Sequence, residues 1–159
     1  MNFKRLQYLG LLLLLVFSFS SCRKPLSRKE IRLKKKVVES LESYLGTPYK
    51  YGGNDFSGID CSGLVCSVFS NYNVKLPRQA WQQASFFPEI SLDKVQIGDL
   101  LFFVTSGSTI NHVGIVSKTK SVKETLFIHA STSKGVREDN VYSNYWKSKF
   151  VKATHSQIK

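Results

Sequence analysis

The chain has 159 residues and 18.0 kDa, the length of one domain. Hydrophobic residues make up 42% and aromatics 13%, enough to bury a core, which excludes a wholly disordered chain. Lys and Arg number 23 against 11 Asp and Glu, a formal charge of +12. The partners such a chain seeks are anionic: phospholipid, cell-wall polymer or nucleic acid. Three cysteines are too few for a disulfide scaffold.

Lys4 and Arg5 precede an uncharged apolar run from Tyr8 to Phe19, and Ser20, Ser21 and Cys22 follow. This is the pattern of a secretory signal. It falls short of the ~20 apolar residues a bilayer-spanning helix needs. Phe19-Ser20-Ser21-Cys22 resembles a bacterial lipobox, although Phe19 stands where Leu is commoner. The resemblance implies a signal over residues 1–21 and a lipidated Cys22, with the exported protein held at a membrane. The plainer reading is an ordinary signal with Cys22 a spare thiol. Between residues 22 and 40 lie eight basic side chains and two acidic ones. Residues 22–32 read as a basic tether, which either favours an anionic leaflet or only keeps the segment solvated. Export removes the chain from nucleic acid. Arg23, after the anchor, fits an outer-membrane lipoprotein facing the periplasm.

Ile31, Val37, Val38, Leu41 and Leu45 recur at helical spacing, with Gly46 as a stop signal. They predict a first helix from about Ile31 to Leu45. Gly52-Gly53-Asn54-Asp55 and Ser57-Gly58 mark a loop. Leu64, Val65, Val68 and Phe69 predict a second helix from near Asp60 to Asn71. A shorter helix fits within Pro77 to Phe87. Strands are expected over Asp99–Val104, Val113–Ser117, Thr125–His129 and Phe150–Thr154, with a turn at Ser106-Gly107-Ser108. Helices followed by strands argue an α+β domain with an antiparallel sheet, over residues 33–159.

Cys61 falls at the start of the second predicted helix, where the helix dipole favours a thiolate, the nucleophilic form. Cys66 lies about 140° further round the helix, so the two sulfurs point apart and Cys66 reads as a core residue. A cysteine nucleophile needs a base, usually histidine. His112 stands at the mouth of one predicted strand and His129 ends another, so His129 could orient His112. A histidine at a strand end is more often structural than catalytic. His155, in a polar tail, reads as a surface residue.

The motifs decide between these readings. Gly46-Thr47-Pro48-Tyr49-Lys50-Tyr51-Gly52-Gly53 and Gly58-Ile59-Asp60-Cys61-Ser62-Gly63-Leu64-Val65 closely resemble the NlpC-type cell-wall cysteine peptidases. Leu76-Pro77-Arg78, Gly98-Asp99-Leu100-Leu101-Phe102-Phe103 and Asn111-His112-Val113-Gly114-Ile115-Val116 agree, in the same order. The match spans about residues 33–154. The resemblance implies a papain-like α+β fold, its N-terminal helices packed on a central antiparallel sheet of five or six strands. It implies hydrolysis of peptidoglycan stem peptides or muropeptides, commonly between D-glutamate and the diamino acid, diaminopimelate or lysine. The family's nucleophile falls on Cys61, its base on His112 and its third polar residue on His129.

Asp60 matches an aspartate that in many relatives binds the free amine of the stem's N-terminal L-alanine, and it is also a natural N-cap. Tyr49 is expected to line the cleft near the oxyanion, with Tyr51 as the other choice. Ser62 neighbours the backbone N–H groups that serve an oxyanion, the N–H of Cys61 first among them. Arg78 is either a cleft residue or an ion-pair partner. Gln83 fits the family pattern, but Gln79-Ala80-Trp81 departs from it. Asp99 reads as a turn or hydrogen-bonding residue. No cofactor or metal is expected, because no compact Cys/His ligand cluster is present, and the protein should be a monomer. Two rivals stand: an N-acetylmuramyl-L-alanine amidase on the same scaffold, and a catalytically silent cell-wall-binding lipoprotein.

Overall fold

Ser27 sets the first helix. Its hydroxyl accepts from the Glu30 N–H at 3.2 Å, and the Glu30 carboxylate accepts from the Ser27 N–H at 2.7 Å. This capping box starts helix α1 at Arg28 and carries it to Glu42. The computed structural model describes residues 26–121 and 123–158. The expected export signal, Cys22 and the first part of the tether lie outside the described residues. The helix starts three residues earlier than its apolar spacing implied, so Arg28 to Arg32 belong to α1 rather than to a tether. It also stops earlier. Leu45 lies in turns that follow Glu42, and Gly46 takes φ +84°, a left-handed conformation that glycine adopts freely. The Gly46 N–H leaves the helix direction and donates to Val136 O at 2.9 Å.

Lys34 lies on the buried face of α1 with Val37, Val38 and Leu41. It is neutralised there by Asp99, in a salt bridge whose two side chains are almost wholly out of solvent. His155 Nδ1 lies 2.9 Å from the same carboxylate, and the Ser156 N–H donates to it at 3.2 Å. The surface role expected of His155 is therefore wrong. Its ring docks on a buried charge, a pairing between distant segments that local polarity does not reveal.

After Gly46 the chain forms a two-stranded ribbon, β1 (Asn54–Asp55) and β2 (Gly58–Ile59). Helix α2 (Cys61–Ser70) follows, with Asp60 as N-cap and Asn71 as C-cap, as the sequence implied. Ala80–Gln83 form the short α3, within the expected segment. Then come β3 (Glu89–Ile90), β4 (Leu100–Phe103), β5 (His112–Ser121), β6 (Glu124–Ser131), β7 (Gly135–Asn140), helix α4 (Asn144–Lys149) and β8 (Phe150–Thr154). The main sheet has six strands in the order β3-β8-β4-β5-β6-β7, every pairing antiparallel.

All four residues of β4 are buried, because both faces of the sheet are covered. Leu100 and Phe102 pack with Val37, Leu41, Leu64 and Val68, under α1 and α2. Leu101 and Phe103 pack with Phe127, Val116 and Trp146, under α4. Each such side chain contributes about 1.5–3 kcal/mol through burial. The fold is thus α+β as expected, with one addition: α4 closes the second face. Its first turn is capped by Ser143, whose hydroxyl accepts from the Trp146 N–H.

Candidate active site

Asp60 ties the loop before α2 to the helix. Its Oδ1 accepts from the Gly63 N–H at 2.7 Å and its Oδ2 from the Gly52 N–H at 2.8 Å. Gly63 must be glycine, because a Cβ there would lie 2.2 Å from Gly53 O. Arg78 completes the carboxylate's shell, with Nη1 on Oδ1 at 2.8 Å and Nη2 on Oδ2 at 2.6 Å. Nη1 also donates to Ser62 Oγ at 2.9 Å. Burial pushes the Asp60 carboxyl up, but Arg78 and the Gly63 and Gly52 N–H groups outweigh it and hold it below its ordinary value.

Cys61 is the first residue of α2 and is 8% exposed. Its sulfur sits 3.9 Å from Asn111 O, on the segment that enters β5, with the backbone N–H of Val113 also beside it. The thiol's ionisation differs from the sequence expectation. Burial pushes the Cys61 thiol up, and the N–H groups of Val113, Ser62 and Cys61 itself only partly offset this. Burial thus favours the neutral thiol, while the N–H groups at the helix N-terminus favour the charge that develops on attack. Cys66 is also a free thiol. Its sulfur accepts from Gln83 Nε2 at 3.3 Å and lies 3.4 Å from Pro77 O, which agrees with a packing role.

His112 opens β5 and His129 lies near the end of β6. The two rings meet edge to face, with His112 Nε2 3.0 Å from His129 Nδ1. Among the described residues, no hydrogen bond joins Cys61 Sγ to His112. Such bonds are often long before substrate binds and tighten in the complex. Burial first, and the neighbouring His129 second, push His112 down to about 3, so it is neutral at rest and can accept a proton.

Three residues the sequence reading missed complete this side. His129 Nε2 lies 3.0 Å from Asp139 Oδ2, and Trp146 Nε1 donates to the same oxygen at 3.1 Å. Arg137 pairs with Asp139 Oδ1. Burial pushes the Asp139 carboxyl up, but the bonds from His129 and Trp146 and the Arg137 charge outweigh it and hold it below its ordinary value. Trp146 also stacks on the His112 ring, centroids 5.3 Å apart. The signal for β7 was weak. Its sequence, Gly-Val-Arg-Glu-Asp-Asn, is charged and carries little β-propensity. Only its register, which pairs Arg137 with His129, brings Asp139 to the ring.

Two cavities flank this line. One of about 360 Å³ is lined by Tyr49, Tyr51, Asp60, Cys61, Arg78 and Trp81, among others. The other, about 280 Å³, is lined by His112, His129, Lys134, Arg137, Tyr145 and Trp146, among others. Tyr49, half-buried, faces the nucleophile: burial raises its hydroxyl's pKa first, and the Cys61 charge adds to this. Tyr51 is 84% exposed at the rim. Ser62 is buried, lines the first cavity, and its hydroxyl links Arg78 to Asp60.

A thiol at a helix start and a histidine pair on an antiparallel sheet belong to a papain-like α+β fold. Residues 46–155 match the model of the NlpC/P60 family, and the chain belongs to that family. It is 43% identical over 117 residues to the "Probable endopeptidase NlpC" of Escherichia coli (strain K12), covering 72% of this chain and 73% of that one. It is 32% identical over 126 residues to the Escherichia coli K12 "Murein DD-endopeptidase MepS/Murein LD-carboxypeptidase", covering 79% and 64%. Among solved structures, the NlpC/p60 domain of the peptidoglycan hydrolase SagA superposes with TM-score 0.65 at 28% identity, covering 77% of this chain and 98% of that one.

Proposed function

We propose that this protein hydrolyses peptidoglycan stem peptides at the bond between D-glutamate and the diamino acid, through Cys61, His112 and His129. As a family member it is a cysteine-type peptidase, and relatives named as a murein endopeptidase and a peptidoglycan hydrolase support a cell-wall substrate. The observation that carries the reading is Cys61 at the start of α2, lining the cavity with Asp60 and Arg78, its sulfur 3.9 Å from the carbonyl oxygen of Asn111, the residue before His112 of the histidine pair. In the first step His112 takes the thiol proton and the sulfur attacks the side-chain amide carbonyl of D-glutamate. The N–H of Cys61 stabilises the oxyanion. His112 then gives its proton to the leaving amine, and water resolves the thioester. The test is mass spectrometry of defined muropeptides incubated with the protein and its Cys61→Ala variant. Cys61-dependent cleavage that leaves L-alanyl-D-glutamate, with its muramyl group where the substrate carries one, supports the reading. Any other product masses refute the bond assignment.

One observation favours a second reading. Asp60 already accepts three hydrogen bonds on Oδ1 and two on Oδ2, and a guanidinium neutralises it. An incoming stem ammonium would compete with Arg78 for that carboxylate. A site so neutralised suits stems whose L-alanine amine is not free, as where the stem is still joined to muramic acid. Cleavage of muramyl-linked stems in preference to free-amine stems would select this reading.

The export reading is part of the same proposal: Cys22 lipidated, the protein held at a membrane of the cell envelope. Arg28, Lys29, Arg32, Lys35 and Lys36 are exposed on α1. This supports attraction to an anionic leaflet at roughly 1 kcal/mol per basic residue near the surface. Palmitate labelling of the full chain and of Cys22→Ala tests it, and equal labelling would refute it.

A further inference from the structure

The histidine pair does not end at His129. Asp139, on the edge strand β7, meets His129 Nε2 at 3.0 Å. Arg137 and the Trp146 indole hold the carboxylate in place, and His129 itself is 1% exposed. An ionised carboxylate can only accept, so His129 must carry its proton on Nε2. With a single ring proton, on Nε2, His129 presents a bare Nδ1. The nitrogen opposite, His112 Nε2, must therefore donate. A neutral His112 with its proton on Nε2 has its lone pair on Nδ1.

We propose that Asp139 is a positioning residue for the peptidase reaction, acting through His129 to fix His112 in the tautomer whose Nδ1 is the base. The proposal rests on the peptidase reading above. Without the carboxylate, His129 is free to place its proton on Nδ1 and donate to His112 Nε2. His112 would then carry its proton on Nδ1 and have no lone pair there for the thiol. In the attack step the Cys61 S–H bond breaks, an N–H bond forms at His112 Nδ1, and the sulfur's electron pair makes the bond to carbon. The imidazolium so formed is linked through His129 to the Asp139 charge, and the proton stays on His112.

The groups facing this line are few. β5 contributes His112, and β7 contributes Arg137 and Asp139. From α4 come the uncharged Trp146 and Tyr145, and the loop before β7 adds Lys134 at the cavity wall. Asp139 is thus the acidic group within hydrogen-bond reach of His129. Its negative charge, held beside His129, stabilises the positive charge that reaches His112 in the attack step, and its loss removes that stabilisation.

The test uses the full-length protein in two measurements. Ring-nitrogen NMR shifts of the wild type report the tautomers without any substrate. Protons on Nε2 of both His129 and His112 are expected, and a proton on His129 Nδ1 overturns the proposal. Kinetics on muropeptides then compare the wild type with Asp139→Asn and Asp139→Glu. Asp139→Asn should lower kcat roughly 10- to 100-fold with KM little changed, the scale of losing a group that orients another. It should also move the acid limb of kcat to lower pH, and Asp139→Glu should return the limb toward its original place. A kcat loss with the limb unmoved would reduce Asp139 to a packing role and overturn the proposal. A folded wild type that cleaves no muropeptide fails the peptidase reading, while the NMR shifts still decide the relay.

Discussion

The molecule contains two aspartate–histidine pairs of almost the same geometry. His129 meets Asp139 at 3.0 Å, and His155 meets Asp99 at 2.9 Å. The difference lies at the far end of each. Asp99 is fully buried and also binds Lys34, so its charge is spent on joining α1 to the turn before β4 and to the C-terminal segment. Asp139 is partly open, and beyond its histidine lies a second ring beside a cavity. The same pair is a rivet when it ends in a buried ammonium and a relay when it ends in a bare imidazole nitrogen. Residue identity alone does not separate the two roles.

The strongest way to break this comparison is to attack the relay's end. Cys61→Ala should abolish turnover while the thermal transition stays close to wild type. His112→Ala should lose on the order of 10³-fold or more in kcat. Near-wild-type hydrolysis by either would end the proposed mechanism. At the rivet the expectation reverses. Asp99→Asn removes the carboxylate that pairs with the buried Lys34, and breaking a buried ion pair costs about 3–5 kcal/mol. Denaturant unfolding should show that loss, and activity should fall only in proportion to the unfolded fraction. A stable Asp99→Asn protein with impaired kcat would show the two pairs to be alike after all.

Acid should find the rivet as well. Burial pushes the Asp99 carboxyl up, but His155 and Lys34 outweigh it, so its folded pKa lies below the ordinary 3.8. A depressed carboxyl contributes stability that is full above the ordinary value and lost as pH falls through the folded one. Unfolding midpoints followed from neutral pH downward should therefore drop near and below about pH 4. The drop should be shallower in Asp99→Asn, and an equal slope in both proteins would remove Asp99 from the acid response.

The relay was half legible in the sequence and the rivet hardly at all, for one physical reason. Cys61, His112 and their neighbours sit in contiguous motifs, and Asp60 announces α2 by its position as cap. The order of elements and the all-apolar β4 likewise follow from local patterning. Asp139 depends on strand register, and Lys34 depends on which face of α1 turns inward. Helix period placed Lys34 beside Val37, Val38 and Leu41, but its charge argued for solvent. Asp99, 65 residues away in sequence, neutralises it there. The start of α1 was available: Ser27 and Glu30 spell a capping box, yet the apolar spacing drew attention to Ile31 instead.

That cap gives the smallest effect, and it acts at a distance from the site. Ser27→Ala removes the acceptor for the Glu30 N–H, and N-cap replacements of this kind cost about 1 kcal/mol. The loss falls on the helix that carries Lys34, so it should subtract from stability at the rivet. It should leave the rate of Cys61 alkylation by iodoacetamide unchanged, because α2 has its own cap in Asp60 and packs on β5 independently of the first turn of α1. If Ser27→Ala slows or speeds that alkylation, the first turn of α1 communicates with the nucleophile, and the separation of the two regions fails.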